Sequence, residues 1–176
     1  MTDAPVRIER LDTAGLRTHR DALAAVLLDC VEGGASVSYM APLPTATARQ
    51  AFGALEPEIE SGRRVLLAAF AGDELVGTVQ VAAAPAPNQP HRADVAKLLV
   101  RRSARRRGVG RLLMEHAESE AGADGKTLLV LDTVTGDPAE RLYQRLGWTK
   151  VGVIPNYALS PDGRPCDTTV FWKAVG

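Results

Sequence analysis

Lys97-Leu-Leu-Val-Arg-Arg-Ser-Ala-Arg-Arg-Arg-Gly-Val-Gly-Arg-Leu-Leu-Met114 passes through three kinds of structure in one short run. Leu98-Leu99-Val100 reads as the apolar end of a strand, and the arginines and glycines after it read as a loop. Gly108–Ala121 then places Val109, Leu112, Leu113 and Ala117 on one helical face. The first amides of a helix have no intrahelical acceptor, and its N-terminus carries roughly half a positive charge. Such an end attracts anions, and neighbouring arginines favour phosphate. The stretch therefore predicts a strand–loop–helix unit that holds a phosphorylated ligand.

Three phosphate-binding frames compete for this loop. A P-loop requires G-x-x-x-x-G-K-S/T, and no glycine here is followed by Lys-Ser or Lys-Thr in that frame. A dinucleotide fingerprint G-x-G-x-x-G accepts Gly108 and Gly110 but finds Leu113 in place of its third glycine, with Asp132 near the expected acidic position. The pattern Arg/Gln-x-x-Gly-x-Gly/Ala is met in full by Arg105-Arg106-Arg107-Gly108-Val109-Gly110. A solvated arginine loop capping a helix, or a nucleic-acid patch, is the plainer alternative. No aromatic residue interleaves with these arginines as a single-strand stacking platform requires.

The third pattern resembles the acyl-CoA loop of the GNAT family of N-acetyltransferases. A second motif of that family, A-x-x-L-Y-x-x-L-G-F/W, is matched by Ala139-Glu-Arg-Leu-Tyr-Gln-Arg-Leu-Gly-Trp148. Ala139, Leu142, Tyr143 and Leu146 share one helical face, and Gly147 supplies the helix stop. The resemblance implies acetyl-CoA as co-substrate and no metal. It implies that the backbone from Arg105 through Gly108, Val109 and Gly110 to Arg111 cradles the pyrophosphate, with Arg106 and Arg107 in the loop and Arg101, Arg102 and Arg106 within reach of the 3′-phosphate. Leu98, Leu99 and Val100 on the strand before the loop, Thr133 on the next strand and Ala139 on the following helix complete the implied cofactor contacts. Tyr143 would protonate the departing thiolate, because a phenol with a pKa near ~10 remains a donor at neutral pH. Many members carry asparagine seven residues before this tyrosine, where Gly136 stands here, so that contact is not carried over.

Acetylation of an amine also needs a group that removes its proton. Asp94 opens the strand leading to Leu98, and Asp132 ends the next parallel strand, where open α/β sheets place ligands. Asp94 is otherwise a strand-end cap or an ion-pair partner of Arg92, and Asp132 a cap of the following turn. A backbone amide of the Leu98–Val100 strand, freed by a bulge, would meet the oxyanion. His19, His91 and His116 are isolated; His116 is expected near the buried face of its helix, and His91 is a weak candidate for substrate contact. No His/Cys/Asp cluster has metal-ligand spacing.

Four further segments resemble the tabtoxin-resistance subgroup of the family: Gly33-Gly-Ala-Ser-Val37, Arg92-Ala-Asp-Val-Ala-Lys-Leu98, Leu131-Asp132-Thr133 and Pro155–Gly163. That resemblance implies an amino-acid-like antibiotic or toxin amine as acceptor, with Asp94 replacing a glutamate. The segment from Gly33 to Met40 would then line the acceptor pocket with Tyr39 as a wall; otherwise it is a helix-terminating loop. Protein or peptide acetylation and a non-catalytic acyl-CoA sensor are the alternatives.

At 176 residues, 45% apolar and 24% charged, the chain is expected to form a single soluble domain. Its formal net charge of zero makes the arginine loop a local feature, which argues against nucleic acid as the partner. No apolar run approaches the ~20 residues of a membrane helix. Residues 1–5 lack a basic stretch followed by an apolar run, so a cytoplasmic location is expected. Cys30 and Cys166 read as separate reduced thiols. Strands are expected at Val6–Arg10, Arg64–Ala71, Glu74–Ala84, Asp94–Val100, Thr127–Thr133, Thr149–Ile154 and Thr168–Ala174. Helices are expected at Leu16–Val31, Thr45–Ser61 (shortened or kinked at Pro57), Gly108–Ala121 and Pro138–Gly147. That order is α/β, and the resemblance implies the family's mixed, mostly antiparallel sheet with a splayed parallel strand pair, flanked by helices. Homodimers are common in the family.

Overall fold

The computed structural model describes residues 5–176; residues 1–4, which belong to the run read for a leader, lie outside it. β1 (Val6–Leu11) leads into α1 (Thr13–Glu32), whose first turn is capped by Asp12, its Oδ1 accepting the Gly15 amide at 2.7 Å. The expected helix over Thr45–Ser61 is two helices, α2 (Thr45–Gly53) and α3 (Glu56–Glu60). Pro57 explains the break: it has no amide to give, and its ring clashes with the carbonyl four residues earlier, at Gly53 where α2 stops. β2 (Arg64–Ala71) and β3 (Glu74–Ala83) form the hairpin predicted around Gly72-Asp73, with Gly72 at φ +61°. β4 (Arg92–Val100), α4 (Val109–Ala123), β5 (Leu128–Val134) and α5 (Pro138–Arg145) follow, and β6 (Thr149–Leu159) and β7 (Pro165–Ala174) close the chain.

The seven strands form one sheet in the order β1-β2-β3-β4-β5-β7-β6. Only β4 and β5 run parallel, so the sheet is mixed and mostly antiparallel, as the resemblance implied. Strand alternation divides the core between two faces. Val65, Leu67 and Ala69 of β2 point to the face covered by α4, through Val109, Leu113, Met114 and Ala117. Leu66, Ala68 and Phe70 point to the other, against Leu16, Leu23 and Leu27 of α1 and Phe52 of α2. Each fully buried leucine contributes on the order of 2 kcal/mol of apolar burial. Gly77 brings α4 close to the sheet: a Cβ there would stand 2.9 Å from the Leu99 carbonyl and 3.1 Å from Leu113 Cδ1.

Two local expectations are corrected. His116 lies on the exposed side of α4, with Nδ1 2.9 Å from the Leu112 carbonyl oxygen, and Leu112 is only half-buried. The second is β6, which continues through Pro155 to Leu159 instead of stopping at Ile154. β6 is an edge strand, so a proline there breaks no ladder on its open side. The register with β7 shifts between Ile154 and Ala158, and Asn156 sits at φ +51° with its amide donating to Asp167 Oδ1 at 2.8 Å.

Candidate active site

β4 and β5 pair only from Arg92 with Leu128 to Asp94 with Val130, and then separate. Just beyond, β4 bulges. Thr78 faces Leu99 and Gln80 faces Ala96, so Lys97 and Leu98 together oppose Val79, and Lys97 takes the left-handed φ of +54°. Splay and bulge open a groove of about 1120 Å³ along the C-terminal half of β4.

One end of the groove is the arginine–glycine loop. Gly108 adopts φ +79° as the N-cap of α4, and a Cβ there would enter open space beside the groove. No side chain caps α4, which leaves the amides of Val109, Gly110 and Arg111 as first-turn donors at the groove's wall. Gly110 packs close to α5, since a Cβ there would stand 3.3 Å from Leu142 Cδ2. Arg105 is anchored, its Nε donating to the Val100 carbonyl at 3.1 Å and its Nη2 lying 3.9 Å from Cys30 Sγ. Arg106, at φ +64°, lines the groove and makes no hydrogen bond or ion pair among the described residues. Arg111 lines it too while pairing with Glu115 at 2.8 Å.

The other arginines are turned away. Arg102 is bound to Asp29, through its backbone amide at 2.7 Å and its Nε at 2.9 Å, and Arg101 lies 3.5 Å from Glu74. Neither lines the groove, so of the three arginines expected near a 3′-phosphate only Arg106 is in place. Arg107 does not line it either.

Leu98, Leu99 and Val100 on β4, Thr133 on β5 and Ala139 on α5 form the middle of the groove with Tyr143. The Tyr143 ring packs on Trp148 and Phe171 at centroid distances of 6.1 and 5.9 Å. Burial pushes its phenol well above the usual tyrosine range, and the carboxylates of Asp137 and Asp132 push it further. Among the described residues nothing hydrogen-bonds its hydroxyl. The raised pKa favours the protonated phenol at neutral pH, on a residue that lines the groove.

The two candidate acids are placed differently. Asp132 is exposed at the end of β5 and lines the groove; its Oδ2 accepts from Thr168 Oγ1 at 2.9 Å. Asp94 does not line the groove, and its Oδ1 takes Arg92 Nη1 at 2.7 Å. The ion-pair reading offered for it in the sequence is the one its geometry fits.

The far end of the groove is built from parts distant in sequence. The 33–44 segment is a loop and includes Tyr39 in the lining. It is tied to the β6–β7 hairpin by Ser36 Oγ donating to the Leu159 carbonyl at 2.9 Å and the Ala41 amide donating to that of Pro161 at 3.0 Å. Lys97, Asp137, Tyr157, Cys166 and Thr168 also reach the lining and were not singled out in the sequence. A positive φ at a lysine has no local signature, and the hairpin's contribution depends on the edge strand running through Pro155. Asp137 carried a clue, since it precedes Pro138 at the start of a helix. Burial raises its carboxyl above the usual range, while Arg105 and Arg141 oppose that rise. Cys30 and Cys166 are both free thiols. Among the described residues no cluster of acids, histidines and cysteines could hold a metal ion, and no helix is long and apolar enough to cross a membrane.

Solved structures with the same architecture include an N-acetyltransferase of Staphylococcus aureus (TM-score 0.80, 17% identity, covering 98% of this chain and 100% of that one). Another is yncA of Salmonella typhimurium, solved with its cofactor acetyl-CoA (TM-score 0.79, 18% identity, 97% and 94% covered). A third is a ribosomal-protein-alanine N-acetyltransferase of Brucella melitensis (TM-score 0.79, 22% identity, 96% and 99% covered). At these identities the likeness is one of fold. The family model described as acetyltransferase (GNAT) family matches residues 35–148, a span that holds the arginine–glycine loop, Asp132 and Tyr143. The chain belongs to the GNAT family of acetyltransferases.

Proposed function

We propose that this protein transfers the acetyl group of acetyl-CoA to the amine of a small, amino-acid-like molecule. The donor set at the loop fits acetyl-CoA: consecutive helix N-terminal amides, a left-handed glycine that brings backbone to the groove, and the unpartnered Arg106 suit a pyrophosphate. Acetyl-CoA, when bound, supplies a thioester carbonyl for the amine and a thiolate leaving group.

The chain's own residues supply the rest. Asp132 holds the incoming ammonium and takes its proton, directly or through water; its position on the groove favours it over Asp94, which Arg92 occupies. An amide of the Leu98–Val100 stretch beside the bulge faces the oxyanion. Tyr143 delivers its proton to the sulfur and is reprotonated, by way of solvent, with the second proton that the acylated nitrogen releases. The observation that carries this reading is Tyr143, buried on the groove wall with its hydroxyl unpartnered among the described residues.

The tie between the 33–44 loop and the β6–β7 hairpin, which joins two walls of the acceptor end, supports a small molecule. The segments that resemble the tabtoxin-resistance subgroup, Arg92–Leu98 and Pro155–Gly163, favour an antibiotic or toxin of amino-acid type. Tyr143→Phe is the direct test. It should lower kcat about 100-fold or more while the acetyl-CoA Kd stays within about threefold of wild type. Unchanged turnover on the same amine would overturn the acid role.

A further inference from the structure

Lys97 has no part in the chemistry above, yet it lines the groove beside the 33–44 loop. It occupies the bulge of β4 in the left-handed conformation, a strained backbone of the kind that collects at functional sites. Its ammonium is half-buried and donates to Ser38 Oγ at 2.7 Å, with the Tyr39 ring centroid 6.0 Å away. Among the described residues no carboxylate lies within ion-pair distance of it. A partly buried cation without an anion is costly unless a ligand brings one. An ammonium has three donors, and Ser38 takes one.

Asp132 stands nearby on the separated strand. The two do not form an ion pair, but Asp132 is near enough to favour the charged form of Lys97, against burial and the charge of Arg64, which lower its pKa. The groove's remaining basic side chains come from the arginine–glycine loop and from α5, so Lys97 is the cation contributed by β4 beside the 33–44 loop. One cation and one carboxylate on the lining of the same groove, not paired with each other, are complementary to a molecule that carries both charges.

We infer that Lys97 binds a carboxylate of the acceptor, so that the acceptor is an amino acid with its ammonium at Asp132 and its carboxylate at Lys97. The inference rests on the acetyl-transfer reading and narrows it to zwitterionic amines. Lys97 is then a specificity-determining residue, and simple amines and diamines are poor acceptors.

The test pairs each amino acid of a panel with its C-terminal amide and measures kcat/KM with acetyl-CoA for wild type, Lys97→Met and Lys97→Arg. Methionine keeps the length and apolar stem of the lysine and is no more strained at positive φ. The acid-to-amide ratio is compared between variants, which cancels the different basicity of the two amines. Wild type should prefer acids about 10- to 100-fold; Lys97→Met should abolish that preference, and Lys97→Arg should restore most of it. Equal use of acids and amides by wild type would overturn the inference while leaving acetyl transfer standing. So would a Lys97→Met variant that loses acetyl-CoA affinity by calorimetry and slows acids and amides alike. Acetyl-CoA binding with no transfer to any amine would instead overturn the reading beneath it.

Discussion

Replacing Gly108 with alanine separates two things the loop glycine does, because its backbone strain and its open surroundings can be read independently. At φ +79° an alanine pays the left-handed penalty of about 1–2 kcal/mol. Reduced freedom of the unfolded chain offsets roughly 0.4–1 kcal/mol of that. The net loss is about 1 kcal/mol, a fall of roughly 2–4 °C in Tm for a chain of this size. Among the described residues no atom lies within 4 Å of the added Cβ, so packing adds nothing to that figure. What the methyl group does meet is the space beside the Val109, Gly110 and Arg111 amides. Holding a pyrophosphate away from them would cost one charge-assisted hydrogen bond or more, about 1.5–3 kcal/mol, which is a 10- to 150-fold rise in Kd. Thermal unfolding without ligand and calorimetric titration with acetyl-CoA measure the two effects separately. A variant that melts a few degrees lower yet binds acetyl-CoA as wild type does would show that the pyrophosphate is not held here.

The arginines should divide in the same way. Arg106→Ala should raise the acetyl-CoA Kd about tenfold, less at high salt, whereas Arg102→Ala, which removes the Nε contact to Asp29 but keeps the backbone amide's, should leave Kd unchanged and cost under about 1 kcal/mol of stability; equal losses of affinity would refute the division. In pH profiles, a tyrosine donor loses activity only as pH rises through its own pKa. That of Tyr143 is raised above the ordinary value, so kcat at saturating acceptor, where Lys97 is already bound, should show no alkaline fall up to about pH 10. Gly77→Ala should destabilise the protein by about 1–3 kcal/mol in urea unfolding, since its Cβ would press on the Leu99 carbonyl at 2.9 Å and on Leu113 of α4; wild-type stability would mean that α4 moves freely over β3.

The arginine–glycine end of the groove was legible in the chain because it is local. Strand, loop and helix follow one another between Lys97 and Met114, and the small set of conformations open to Gly108 and the α4 N-terminus fixes where the amides point. The helix of Tyr143 is equally local, since its buried face is a helical period written in adjacent residues. The acceptor half is not local. Ser36 and Leu159 meet across more than a hundred residues, and Pro155, which ends a strand by ordinary rules, sits inside one because an edge strand tolerates it. Asp94 and Asp132 looked equivalent because both mark strand positions beside the splay. The difference between them is which neighbour claims the carboxylate: Arg92 two residues away for one, a threonine hydroxyl and open groove for the other.

Charge in the loop has the same lesson at closer range. Six arginines lie between positions 101 and 111, and composition alone makes them a basic patch. Arg101, Arg102, Arg105 and Arg111 have partners within the protein: Glu74, Asp29, the Val100 carbonyl and Glu115. Those contacts fix the strand end to α1 and stiffen the loop and the first turn of α4, which is what allows a backbone cradle to be preformed. A cradle that had to be ordered by its ligand would lose that ordering entropy from affinity. On the proposed reading these arginines serve donor binding mainly by holding amides in place, and Arg106, on the groove lining, is the one expected to add direct charge. On the acceptor side the arrangement is inverted. Among the described residues Lys97 and Asp132 have no ionic partner, and on the proposed reading that leaves one cation and one carboxylate of the groove for the two charges of an amino acid.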